Sequence, residues 1–166
     1  STTGSGITLI NDSYSADPLS MRSALNTLIR LSGGRSTIAV LGEMADLGEA
    51  SGQAHQDVGE LVFSLGIGQL ITVGEGAKAI ARAAIDSGMP QDCVFETFDV
   101  SECAQILEKI LHRDEVVLVK ASRPIQLERT AAFLLESMSP TRAYIDLGIV
   151  AENVRRIRRW LPRESA

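Results

Sequence analysis

The 166-residue sequence predicts an α/β domain built on a mostly parallel, doubly wound sheet with helices on both faces. Two observations predict it. Apolar runs of strand length alternate with longer amphipathic stretches, the pattern of βα units stacked side by side. Runs such as Val116-Val117-Leu118-Val119 are apolar throughout, without the polar alternation of a half-exposed strand, as expected when helices cover both faces of the sheet.

Strands are expected at 7–10, 37–41, 69–73, 94–97 and 116–120. The first helix should open near Pro18, whose fixed φ suits a first turn, and carry Met21, Leu25, Leu28 and Ile29 on one face. It should stop at Gly33-Gly34, where a left-handed residue can close the last turn. Further helices are expected near 51–65, 75–87, 101–111 and 124–137, each with apolar residues three or four apart. Together these elements describe a Rossmann-like sheet. Ser139-Pro140 then marks a break, followed by a short strand at 142–147 and a helix from about 149 to 161. That strand-helix appendage has too little apolar surface to fold alone, so it must dock on the body, dock on a partner or fray.

Composition narrows the function classes. Apolar residues make up 45% and charged residues 22%, which is globular rather than disordered or fibrous. No apolar run approaches the roughly 20 residues that span a bilayer, and no basic-then-apolar leader opens the chain, so a cytoplasmic protein with no membrane span is expected. Cys93 and Cys103 lack metal-site spacing and read as buried small hydrophobes. Through residue 139 there are 18 acidic and 10 basic side chains, a net of −8 that argues against a nucleic-acid partner. After it six arginines face three acids. There Arg155, Arg156, Arg158 and Arg159 alternate with Val154, Ile157 and Trp160, the pattern of a solvated helix face.

Ligands of open α/β sheets collect at the carboxyl ends of the strands, so the polar loops there are the candidate sites. Asn11-Asp12-Ser13-Tyr14-Ser15-Ala16-Asp17-Pro18 follows the first strand and also reads as a turn with a helix cap. The loop from Gly42 to Glu49 holds Glu43, Asp46 and Glu49, carboxylates that could orient a cationic amine or a hydrated metal ion, or simply face solvent. His55 follows one turn into the next helix and is more often structural than catalytic; His112 stands at a helix end, where a cation suits the dipole. Lys120-Ala121-Ser122-Arg123-Pro124 places a cation pair and a hydroxyl beside helix N-terminal amides, an anion-binding combination. Val73-Gly74-Glu75-Gly76-Ala77-Lys78-Ala79 matches the G-x-G-x-x-G/A dinucleotide fingerprint, with Glu96 about twenty residues on. It follows the third strand instead of the first, and Glu75 sets a carboxylate where a pyrophosphate would approach. A free-standing dinucleotide-binding or structural module is therefore the alternative reading. No G-x-x-x-x-G-K-[ST] occurs, so the chain cannot cradle a triphosphate in the P-loop manner.

The three loops together resemble one family. Ile10-Asn11-Asp12-Ser13-Tyr14-Ser15-Ala16-Asp17-Pro18-Leu19-Ser20-Met21 is similar to the N-D-x-Y-N-A-N-P-x-S-M motif of MurF ligases. Val40-Leu41-Gly42-Glu43-Met44, through Leu47-Gly48-Glu49 to His55, resembles their L-G-[DE]-M…L-G-E…H segment, and Val117-Leu118-Val119-Lys120-Ala121-Ser122-Arg123 resembles V-L-V-K-G-S-R. The likeness covers roughly residues 6 to 137. It implies the C-terminal, third domain of a ligase that joins D-alanyl-D-alanine to UDP-N-acetylmuramoyl-tripeptide, using ATP and magnesium through an acyl phosphate. The P-loop and UDP-substrate regions of that family belong to N-terminal and central domains absent here, so this piece alone should not turn over and holds no catalytic residue or metal site of its own. By the same resemblance Asp12 and Tyr14 are candidates for the nucleotide side of the cleft, and Ala16, Glu43, Lys120, Ser122 and Arg123 for the substrate side. Ser15 and Asp17 depart from the motif by replacing asparagines and Ala121 by replacing a glycine, which puts contacts at Asp17 in doubt and raises the question of a positive φ at 121.

The tail resembles a second family. Pro140-Thr141-Arg142-Ala143-Tyr144-Ile145-Asp146-Leu147 and the stretch from Ile149 to Arg158 are similar to the opening R-A-x-[IV]-[DN]-L-x-x-[IL]-x-x-N of alanine racemases. This implies a boundary near 138/139, with 139–166 a linker plus the first strand and helix of a truncated racemase domain. Pyridoxal phosphate and its lysine then belong to the portion beyond Ala166.

Overall fold

The computed structural model describes residues 6–112, 114–122, 127, 132 and 143–160, with the side chains of 156–160 outside the description. The order of elements is β1 (Thr8–Asp12), α1 (Pro18–Ser32), β2 (Thr37–Gly42), α2 (Ser51–Ser64), β3 (Gln69–Val73), α3 (Lys78–Ser87), β4 (Val94–Thr97), α4 (Val100–Ile110), β5 (Val116–Lys120), β6 (Ala143–Asp146) and α5 (Leu147–Trp160). The strands form one sheet in the order β4-β3-β2-β5-β1-β6. Every pairing is parallel. The five strands expected in the body and the α/β class are all present, while the helix expected at 124–137 lies, but for residues 127 and 132, outside the described residues.

The continuous apolar strands are explained by two core layers, one on each face. Successive strand residues point to opposite faces. Ile10, Leu41, Leu70 and Leu118 meet Met21, Leu25 and Leu28 of α1, Val58 and Val62 of α2 and Ile80 of α3. Leu9, Val40, Ile71, Val117 and Val119 meet Cys103 and Leu107 of α4 on the other. Each fully buried Leu or Ile contributes about 1.5–3 kcal/mol of transfer free energy, so the two layers, rather than helix propensity, hold the sandwich together. Cys103 is buried there, Cys93 packs half-buried on the first layer, and neither forms a disulfide. Where α2 and α3 cross, a Cβ on Gly59 would overlap Ile80 O and lie 2.7 Å from Ala83 Cβ, so glycine sets their close approach.

The helix signals acted as read. Pro18 opens α1 behind the N-cap Asp17, and Gly33 closes it at φ 57°. α3 begins three residues later than expected because 74–77 form a turn. β1 runs two residues beyond its predicted end, so Asn11 and Asp12 are strand residues in register with Val119 and Lys120. Sequence polarity suggested a loop; side-chain partners at the strand tip make the polar residues affordable inside the sheet. The appendage docks on the body, with β6 pairing along β1 from Thr8↔Ala143 to Asn11↔Asp146.

Candidate functional site

Placing β5 between β1 and β2 decides the geometry of the site. Asp12 is opposite Lys120, and Lys120 is opposite Leu41, so the loops after β1, β2 and β5 leave the sheet side by side at one edge. The polar tips that the sequence scatters over more than a hundred residues thereby meet.

At the centre lies an ion pair. Lys120 is fully buried, and its Nζ donates to Asp12 Oδ2 at 2.7 Å and to the carbonyl of Ser15 at 2.7 Å. An ammonium removed from water needs such partners, and here they also fasten the β1–α1 loop to β5. Burial raises the Asp12 carboxyl above its ordinary range; the Lys120 bond and charge oppose that rise, while the charges of Asp146 and Asp17 add to it. The loop over this pair exposes Tyr14 and buries Ala16 in the first core layer.

Glu43 ties three loops together. Its backbone carbonyl accepts from Ser122 Oγ at 2.8 Å, and its carboxylate Oε2 accepts from the Gly76 amide at 2.9 Å. A Cβ on Gly76 would sit 2.6 Å from that oxygen. The glycine of the dinucleotide-like fingerprint thus makes room for a protein carboxylate, which occupies the amide a pyrophosphate would use. Glu43, Asp46 and Glu49 do not act as a cluster: Glu43 turns to Gly76 while Asp46 and Glu49 face solvent. Among the described residues no three His, Cys, Asp or Glu side chains are grouped to hold a metal ion.

His55 is buried and structural. Its Nε2 accepts from the Met44 amide at 2.9 Å and its Nδ1 lies 2.6 Å from Ser51 O. Only the neutral, Nδ1-protonated ring satisfies both, so the side chain staples the β2–α2 loop to the helix. His112 is exposed just past the end of α4.

The departures from the motif also find reasons. Asp17 Oδ1 accepts from Leu19 N and Ser20 N at 3.0 and 2.9 Å, and the Ser20 backbone bond leads the causes that hold its carboxyl below the ordinary range. Asn caps helices as well as Asp does, so the exchange keeps the function of the position. Among described non-glycine residues positive φ occurs at Asp46 and Asp114, not at Ala121, so alanine there carries no strain. Arg123 lies outside the described residues. The structure therefore brings Asp12, Tyr14, Ala16, Glu43, Lys120 and Ser122 to one edge. Sequence reasoning missed Asn11, Tyr144 and Asp146 beside them, because their association is made by β6 pairing across 133 and 135 positions and left no local signal.

Residues 1–123 match the family described as Mur ligase, glutamate ligase domain. The chain belongs to the Mur ligase family. Similar curated relatives of this Mur ligase domain are UDP-N-acetylmuramoyl-tripeptide--D-alanyl-D-alanine ligases. That of Bacillus subtilis is 30% identical over 135 residues, covering 81% of this chain and 29% of the relative. That of Mycobacterium bovis is 34% identical over 152 residues, covering 81% and 30%, and that of Escherichia coli 32% over 131 residues, covering 78% and 27%. The chain thus spans less than a third of the relatives' length. Among solved structures, MurF of Acinetobacter baumannii aligns with a TM-score of 0.63 at 26% identity, covering 75% of this chain and 27% of that one. MurF of Thermotoga maritima in complex with ADP aligns at 0.65 and 24% identity, covering 79% and 28%, a likeness of fold.

Proposed function

We propose that this chain is the closing, third domain of a MurF-type ligase that joins D-alanyl-D-alanine to UDP-N-acetylmuramoyl-tripeptide with ATP in peptidoglycan synthesis in the cytoplasm. The observation that carries the reading is the meeting of three motif loops at one edge of the sheet; in this reading they form one wall of a cleft that further domains of the ligase complete. Among the described residues no helix is long and apolar enough to cross a membrane.

In this reading Asp12 and the exposed Tyr14 serve the nucleotide side, a carboxylate beside an aromatic suiting a sugar hydroxyl and a base. Ala16, Glu43, Lys120, Ser122 and Arg123 form the substrate side. Lys120 acts from beneath, its charge and its hold on Ser15 O shaping the loop; Ser122 contributes by fixing the Glu43 carbonyl, and Arg123 is the group that would meet carboxylate or phosphate oxygens. ATP supplies the phosphoryl group that activates the tripeptide carboxylate. Magnesium would be held chiefly by the nucleotide phosphates, since among the described residues no three His, Cys, Asp or Glu side chains are grouped to enclose it.

The 140–158 segment, in the same reading, begins an alanine racemase fused to the ligase, so that pyridoxal phosphate belongs downstream and one polypeptide both makes D-alanine and consumes its dipeptide. The continuing reading frame tests this directly: an upstream P-loop and a downstream cofactor lysine are expected, and a stop codon or unrelated sequence after this segment removes the fusion. For the ligase itself, the complete protein should consume ATP only with tripeptide and D-Ala-D-Ala both present. Arg123→Ala should then raise KM for the dipeptide about tenfold or more, the scale of one charge-assisted hydrogen bond. Unchanged kinetics in that variant, or turnover by this domain alone, refutes the assignment.

A further inference from the structure

The segment that lies beyond the matched Mur ligase domain reaches the site through a relay of side chains. Asn11 on β1 donates through Nδ2 to Tyr144 Oη at 3.0 Å and to Asp146 Oδ2 at 3.2 Å, both on β6. Tyr144 Oη itself donates to Asp146 Oδ2 at 3.2 Å. On its other side Asn11 Oδ1 accepts from Ser13 Oγ at 2.6 Å and from Ser13 N at 3.3 Å. Asn11 and Ser13 are both buried. Ser13 sits between Asp12 and Tyr14, so the bonds of Asn11 set the turn that carries both.

The direction of the Asn11 amide is forced from β6. A carboxylate only accepts, so the amide nitrogen must face Asp146, and the amide oxygen is thereby left for Ser13. The Ser13 N–H, which only donates, makes the matching demand for oxygen at the other end, so β6 and the turn hold the amide in one orientation from both sides. Asp146 also fixes itself: its Oδ1 accepts from Ile149 N at 3.0 Å, capping α5, which leaves Oδ2 for Asn11. α5 closes over the same place, for a Cβ at Gly148 would lie 3.7 Å from Tyr14 Cβ.

We propose that Asp146 and Tyr144 are positioning residues of the ligase site, acting through Asn11 to hold the Ser13 turn between Asp12 and Tyr14. The C-terminal strand is in this view part of the site's wall as well as the edge of the sheet, and whatever lifts β6 from β1 loosens the turn. The relevance to ligation rests on the function proposed above; the coupling of β6 to the turn does not.

The test is made by NMR on this chain, without any activity assay. Asp146→Asn keeps an acceptor for the α5 cap but removes the carboxylate that holds the nitrogen end of the Asn11 amide, leaving the Ser13 bonds to hold it alone. Ser13 N–H exchange should then quicken about tenfold, the scale of one lost hydrogen bond. The Asp12 carboxyl should also titrate lower, since of the charges facing it, Lys120 on β5, Asp17 at the α1 cap and Asp146 at the β6 end, one repulsive member is gone. Tyr144→Phe leaves the charge in place and should quicken exchange of the Asn11 side-chain amide without moving Asp12. A β6 that merely fills the edge would leave the Ser13 and Asn11 exchange rates unchanged while β1–β6 amides stay protected, and that result overturns the proposal, whatever the direct charge effect on Asp12. If Asp146→Asn loosens β6 altogether, the Tyr144→Phe arm decides: an unchanged Asn11 amide there also overturns it.

Discussion

Lys120 Nζ and Asp12 Oδ2 lie 2.7 Å apart on neighbouring strands, the lysine wholly enclosed and the aspartate side chain 17% exposed. Because the partner with no access to water is the cation, losing the aspartate is worse for the lysine than the reverse. Asp12→Ala should therefore destabilise the fold by about 3 kcal/mol or more, leaving a buried ammonium with only Ser15 O. Lys120→Met should be milder, about 1–3 kcal/mol, because a raised Asp12 carboxyl near solvent can take up a proton. Urea unfolding of the two variants and the double variant checks this. A double variant no more stable than the sum of the single effects predicts would contradict a coupled pair.

Asp12 and Asp17 should push the pH dependence of stability in opposite directions. The Asp17 carboxyl is held below its ordinary 3.8, chiefly by the Ser20 backbone amide, so folding favours its charged form. Its contribution is present above 3.8 and is lost as pH falls through its folded value. Asp12 is raised above 3.8, so folding favours its protonated form, and its contribution declines as pH rises from 3.8 through its folded value. Asp17→Asn should keep the cap and remove only the first dependence. Unfolding free energies from pH 2 to 6 should show the wild type losing ground to the variant at the acid end, whereas parallel curves would contradict the assignment.

How far the sequence revealed this can be judged residue by residue. The strands were legible because burial on both faces leaves runs such as Val116 to Val119 no room for polar residues. The edge on which Asp12, Glu43 and Lys120 meet was legible because parallel strands all end the same way, and motif order marked which loops mattered. Three things were hidden. Lys120 read as a group awaiting an anion, but its stem is long enough to turn inward to Asp12, and only the strand register Asp12↔Lys120 reveals it. Gly76 read as half of a nucleotide fingerprint, since a glycine that admits a phosphate and one that admits Glu43 are the same residue in sequence. The role of Asn11 depends on β6, and the order of strands at an edge is a tertiary choice that local pattern does not encode.

The Glu43–Gly76 contact makes a prediction of its own. Gly76→Ala sets a methyl 2.6 Å from Glu43 Oε2 and 3.1 Å from its Cβ, so the carboxylate must swing away and lose the Gly76 amide. A loss of about 1–2 kcal/mol is expected, the worth of a charge-assisted hydrogen bond. Glu43→Ala removes the same bond and the nearer obstruction, leaving only its own Cβ at 3.1 Å, so adding Gly76→Ala to it should cost less than Gly76→Ala does alone. Thermal unfolding of the four proteins checks this, and additive losses would show that the two residues do not meet.

His55 offers the clearest separation of a structural from a chemical role at the site. Its ring bridges Met44 N and Ser51 O from a position with 1% exposure, so His55→Ala leaves a buried amide without an acceptor and a cavity behind it. About 2–4 kcal/mol should be lost. His55→Gln can present an acceptor toward Met44 and should recover part of that loss, though its side chain cannot span both partners. If the ring acts only as a staple, the complete ligase carrying His55→Gln should keep its pH-rate profile and lose activity in proportion to folded fraction. A profile that loses one limb in the glutamine variant, with folded fraction unchanged, would instead make the ring a proton carrier and overturn its assignment as a staple.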